Sequence, residues 1–179
     1  AVTPQGQVLD LPAGATPLDF AYLVHTDVGH RCRGVRVNGV MVPLTSKLRS
    51  GDQVEILTTR NGTPSRDWLS FVATSRAKTK IRQWLNTEQK LRATEIGKRL
   101  VERELKKHKV GIKRFLDSES LAQYLTAEGI ARPEDLFASV GYGKTSVRHL
   151  LNRVLTSEEL ETVGQEPGPL RRAVTKILP

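Results

Sequence analysis

The chain has 179 residues, 38% of them hydrophobic and 26% charged, with 14 glycines and a formal net charge of +9. This is enough apolar material for one large domain or two small ones, which excludes wholesale disorder. No apolar run reaches the roughly 18–20 residues of a membrane span. The single cysteine, Cys32, excludes an intramolecular disulfide and favours an intracellular setting. The four histidines (His25, His30, His108 and His149) lack zinc-site spacing, so no metal or cofactor is expected.

The positive charge is local. Residues 76–114 hold 14 Lys/Arg against 4 Asp/Glu, whereas 1–60 hold 6 against 5 and 116–179 hold 7 against 9. One segment therefore carries the whole surplus, either as a solvated helix face or as a surface that meets phosphates. The opening Ala-Val-Thr-Pro has neither an initiator Met nor a signal pattern, as expected of a chain processed or cut from something longer.

Taken in order, Val8, Leu9 and Leu11 read as a strand that ends at the Pro12-Ala13-Gly14 turn. Thr16-Pro17-Leu18-Asp19 then opens a helix, with Thr16 as N-cap, proline at the first helical position and an acid at the third. Leu18, Ala21, Tyr22 and His25 follow one stripe of it, and Gly29 is expected to stop it or reshape the loop after it. On that stripe His25 is expected to pack or to cap the helix C-terminus. Asn38-Gly39 predicts a type I′ hairpin pairing Val37 with Val40 and Val35 with Val42. After Ser50-Gly51-Asp52, Val54, Ile56 and Thr58 alternate as a last strand. Strand, helix, hairpin and strand make a small β-grasp unit.

Residues 60–64 read as a linker, and the periodicity beyond is helical. A short helix from Ser65 would bury Trp68, Leu69 and Val72. Ser75 would cap a second, with Ile81, Trp84 and Leu85 inward and Arg76, Lys78, Lys80 and Arg82 largely outward. Thr94 would cap a third, burying Ile96, Leu100, Val101 and Leu105. Further helices are expected over 119–128, 133–140 and 145–155, with an acidic tail from Thr156. The predicted fold is thus α+β: a β-grasp domain over 1–60, a linker over 61–64, an all-α domain over 65–155 and a tail over 156–179. Cys32, Trp68 and Trp84 are all read as core. The run from Ala138 to Lys144-Thr145 mimics a phosphate loop, but no strand precedes it, so it is read as a turn between helices.

Residues 11–32, with Thr16-Pro17-Leu18-Asp19 and Gly29-His30-Arg31-Cys32 inside them, resemble the TGS domain of long RelA/SpoT-type enzymes, which make and degrade (p)ppGpp. The resemblance runs on through Val37-Asn38-Gly39, Gly51-Asp52-Gln53-Val54 and Ser65-Arg66-Asp67-Trp68-Leu69. It then passes beyond the TGS unit into Thr74-Ser75-Arg76-Ala77-Lys78, where the family has its helical domain. A weaker likeness covers 135–144, so most of residues 4–150 take part.

The resemblance implies a cytoplasmic regulatory fragment without the family's catalytic domains, one that makes and cleaves no nucleotide itself. It would sense uncharged tRNA on the ribosome. His30 would contact the tRNA 3′ CCA end with Arg31 beside it, and Arg76, Lys78, Lys80 and Arg82 are candidates to face RNA. An imidazole and a guanidinium suit the free edges, stacking faces and hydroxyls of an unpaired RNA terminus. A tight pocket around the terminal hydroxyl would exclude an aminoacyl group. Two other partners stay open: acyl carrier protein, and the catalytic domains of the parent protein. No membrane partner is expected.

Overall fold

A computed structural model describes residues 1–161. The chain forms two compact units, Ala1–Glu88 and the residues from Gln89 onward.

The first unit is built on the predicted hairpin. Asn38 and Gly39 take φ of 52° and 81°, as a type I′ turn requires. They join β1 (Cys32–Val37) to β2 (Val40–Val42) in the register Val35↔Val42 and Val37↔Val40. The third strand, β3 (Val54–Thr58), lies antiparallel on the other side of β1, so the sheet order is β2-β1-β3. Burial falls toward the turn: Val35 is sealed, whereas Val40 is 64% exposed.

Helix α1 (Pro17–Val24) begins with the capping box read from sequence, the Thr16 hydroxyl accepting from Asp19 N while the Asp19 carboxylate accepts from Thr16 N. Its two sides serve different cores. Phe20 packs with Val35 and Val54 of the sheet. Leu18 and Tyr22 pack with Cys32, Trp68, Val72, Ala77 and Ile81.

Three expectations for this unit need correction. Residues 8–11 form no strand; Val2 instead bridges Val8 antiparallel and Gln53 parallel, because a tight turn at Gly6 (φ 85°) folds the N-terminal residues back. Leu9 and Leu11 still pack on the sheet cluster. The first helix ends at His25, whose extended backbone (φ −162°, ψ 147°) separates it from a second helix, α2 (Thr26–His30). Glycine 29 lies inside α2 and stops nothing.

A 3-10 turn (Arg66–Ser70), capped by Ser65, buries Trp68 as expected. Beyond it the two predicted helices are one, α3 (Ser75–Lys107), 33 residues long. Thr74 rather than Ser75 caps it, its hydroxyl accepting from Ala77 N at 3.2 Å. Thr94 starts nothing, because its hydroxyl turns back onto the carbonyl of Lys90 at 2.9 Å. The buried line on this half of α3 is Ala93, Gly97, Val101 and Leu105, one residue every turn, which leaves Ile96 51% exposed.

In the second unit that line meets α4 (Ile112–Leu116), α5 (Glu119–Ala127), α6 (Pro133–Gly141) and α7 (Val147–Val154). Phe115, Leu121, Leu136 and Leu150 close the core with Val101 and Leu105. The expected helices over 119–128, 133–140 and 145–155 are present as α5 to α7; α4 was not foreseen. A short α8 (Ser157–Glu161) occupies the start of the expected tail, with Leu160 on the core. The rest of that tail lies outside the described residues. After α6, the amides of Tyr142, Gly143 and Lys144 return to helix carbonyls, so the phosphate-loop mimic is a helix terminus. No helix among the described residues is long and apolar enough to cross a membrane.

Candidate nucleic-acid interface

His30 is the last residue of α2, not a loop residue. It is half-buried, at the edge of the first unit. Its position follows from the residues around it. A Cβ at Gly29 would fall on the Tyr22 ring, so glycine lets α2 lie directly against that ring. Tyr22, fully buried on α1, then reaches His30 through its hydroxyl, 3.0 Å from Nδ1. The two rings meet edge-on, 5.4 Å apart at 78°.

The phenol is the better donor and the imidazole nitrogen the better acceptor, so the bond is assigned as Tyr22 O–H donating to Nδ1. Burial, with the Cys32 thiol nearby, pushes the phenol's pKa well above its usual range, which keeps that proton in place. Nε2 is left as an N–H donor without a partner among the described residues. Burial lowers the pKa of His30; the Asp27 carboxylate opposes this, and the Lys80 ammonium adds to it. The ring is therefore neutral at physiological pH, a hydrogen-bond donor rather than a cation.

The start of α3 is bound to the same place. Asp19 accepts from Ala73 N (3.0 Å), Thr74 N (2.8 Å) and the Thr74 hydroxyl (2.7 Å), besides Thr16. Burial alone would raise its pKa, but these bonds outweigh it and hold the carboxyl below 3.8. Arg76 Nε donates to the Tyr22 carbonyl at 3.1 Å. One side of α3 thereby faces α2: Trp84 stands 6.4 Å from the His30 ring, tilted by 52°, and the charge of Lys80 is felt at the imidazole.

The other expected site residues lie as follows. Arg31 is exposed at the C-cap of α2, its carbonyl bound by Thr59 N at 3.0 Å. At about 100° per residue, Arg76, Lys80 and Trp84 flank one side of the buried Ala77–Ile81 stripe, while Lys78 and Arg82 fall on the other. Arg76 is exposed yet tied to Tyr22. Part of the basic surplus further along is already paired, Lys90 with Asp135 at 2.6 Å and Arg114 with Glu159 at 2.7 Å.

One single-residue reading changes and another holds in part. Trp84 is half-buried beside His30 rather than a core residue, because it sits at the margin of the α3 stripe. His25 does not pack, since it is exposed, but it does cap α1 as its C-cap residue, its backbone N–H donating to the Ala21 carbonyl, while its Nδ1 accepts from Asp27 N at 3.1 Å to start α2. Cys32 is core as expected, its thiol pushed by burial up to about 11 and so unreactive. Tyr22 was passed over as a site residue; the signal available was an aromatic one turn before His25 on a helix aimed at the Gly29-His30 segment.

Residues 1–58 match the family model described as the TGS domain, and residues 84–155 match the RelA/SpoT AH domain. The chain is 42% identical to a GTP pyrophosphokinase of Myxococcus xanthus over 88% of its own length and 21% of that protein. It is 45% identical to the bifunctional (p)ppGpp synthase/hydrolase RelA of Mycobacterium tuberculosis over 97% of its length and 23% of that protein. A probable guanosine-3′,5′-bis(diphosphate) 3′-pyrophosphohydrolase of Synechocystis is 41% identical over 85% of the chain and 20% of that protein. The chain thus spans about a fifth of the length of these relatives.

Proposed function

Because the chain belongs to the RelA/SpoT family and carries its TGS and AH domains, we propose that it is a regulatory segment that senses uncharged tRNA on the ribosome and controls the catalytic domains of a (p)ppGpp synthetase or hydrolase. The segment itself does no chemistry on the nucleotide. The observation that carries this reading is the 3.0 Å bond between Tyr22 and His30 Nδ1, which fixes a neutral imidazole with Nε2–H left for a visitor.

A ribose hydroxyl at an unpaired RNA 3′ end is a fitting acceptor for that N–H. An aminoacyl ester occupies the terminal 2′ or 3′ oxygen, removing the small hydroxyl and adding bulk where the ring is held. Discrimination then comes from a lost hydrogen bond together with a steric clash. Lys80 supplies a cation for the adjoining phosphate.

The test is the affinity of the chain for an RNA minihelix ending in unpaired ACCA, followed by NMR titration so that weak binding is measured. His30→Ala is expected to weaken it about ten-fold, the loss of one well-placed hydrogen bond. Lys80→Glu should weaken it and flatten its salt dependence. Retention of an acidic carrier protein without RNA affinity would overturn the reading in favour of protein docking.

A further inference from the structure

We propose that Trp84 is a stacking platform for the terminal unpaired purine of an RNA 3′ end, forming one subsite with His30. The inference rests on the RNA reading above and adds to it a residue that recognises the base rather than the hydroxyl.

Three observations carry it. Trp84 lies at the margin of the buried Ala77–Ile81 stripe and is half-buried, outside the core clusters, so its indole is not wholly consumed by the core. At 6.4 Å and 52° the His30 and Trp84 rings are neighbours that do not stack face to face on each other. The indole N–H has no acceptor among the described residues, and no buried side-chain nitrogen there lacks a partner, so this edge of the ring reaches solvent.

The geometry divides the labour. Tyr22 holds the imidazole through Nδ1, edge-on at 5.4 Å, and the Trp84 ring stands 6.4 Å from it. Lys80, one turn before Trp84 on the same flank of α3, adds charge for the phosphate. An unpaired purine has the larger π-face and gains most from an indole, whereas a pyrimidine offers less overlap. The hydroxyl of the same nucleotide would meet Nε2–H of His30.

The experiment is a thermodynamic cycle between Trp84 and the terminal base. The full chain and its Trp84→Leu variant are each titrated with the ACCA minihelix and with the same minihelix lacking the terminal base. Removing the base should cost the wild-type chain about ten-fold in affinity. Trp84→Leu should lose about as much on the intact probe and nothing further on the abasic one. In the wild-type chain the Trp84 indole N–H resonance should move with the intact probe and stay with the abasic one, which keeps the test independent of how well the variant folds. Losses that simply multiply, or an indole signal unmoved by the intact probe, would overturn the proposal. If His30→Ala still weakens binding in that case, the RNA reading stands without it; if neither variant changes affinity, both fall.

Discussion

The carboxylate of Asp19, in the first turn of α1, holds both the amide and the hydroxyl of Thr74, at 2.8 and 2.7 Å on the same oxygen. Together with the Ala73 amide, this makes an acid 55 positions earlier in the chain part of the cap of α3. The acid serves two helices at once, since it also completes the Thr16 capping box. The site at His30 depends on that fastening, because Trp84 and Lys80 reach it from α3.

Asp19→Asn should therefore destabilise the first unit by about 3 kcal/mol, through the loss of charge-assisted bonds and the mismatch of an amide NH2 against donors. Chemical denaturation of the variant checks it; a loss below about 0.5 kcal/mol would contradict the double-cap role. The folded carboxyl titrates below its unfolded value of 3.8, so its contribution is present above that pH and lost as pH falls through the folded pKa.

Tyr22→Phe keeps the ring against Gly29 and removes only the hydroxyl. Stability should fall by about 1 kcal/mol. The His30 imidazole should lose its fixed tautomer, read by its ring nitrogen shifts, and affinity for the ACCA minihelix should fall with it. Gly29→Ala acts differently, forcing a methyl into the Tyr22 ring at a cost of about 1–3 kcal/mol.

In the second unit, Gly97 and Gly141 mark where α3 and α6 touch backbone to backbone. A Cβ on Gly97 would meet the Phe137 carbonyl, and one on Gly141 the Ala93 carbonyl. Helix propensity alone favours alanine at both sites by about 1 kcal/mol. Overpacking should win, so Gly97→Ala and Gly141→Ala are each expected to lower stability by about 1–3 kcal/mol. A gain on thermal unfolding would show that the helices part without cost.

The His30 imidazole, lowered by burial despite Asp27, should titrate below 6.5 in an NMR pH series. The unfolded ring takes up its proton first as pH falls, so it binds more protons than the folded one in that window. Stability supplied by the neutral ring is thus complete above 6.5 and declines as pH drops toward the folded pKa. A midpoint above 6.5 would mean that Asp27 or another anion outweighs burial.

Much of the fold was written in short-range signals. Asn38-Gly39 fixed a hairpin register, Thr16 to Asp19 announced a helix start, and the apolar spacing of 119–155 placed α5 to α7. Misreadings arose where the cause is a packing contact rather than a local propensity. Around His25 neither Gly nor Pro breaks a helix; its own ring, accepting from Asp27 N, starts α2, and its extended backbone brings α2 against Tyr22. Thr94 reads as a cap from its residue type alone, yet the helix runs through it, and Gly97, one turn on, is required by the close approach of Phe137. For the candidate site, His30 was marked by its Gly-His-Arg-Cys setting. Trp84 was not, since spacing cannot tell the middle of a buried stripe from its margin.

The most direct test compares charged and uncharged tRNA. The parent protein is bound to ribosomes carrying either deacylated or aminoacylated tRNA, and protection of the tRNA 3′ terminus is measured by footprinting, with and without His30→Ala. Protection of the deacylated terminus alone, abolished by the substitution, is the predicted result. Equal protection of both termini, or protection that survives His30→Ala unchanged, would contradict the account.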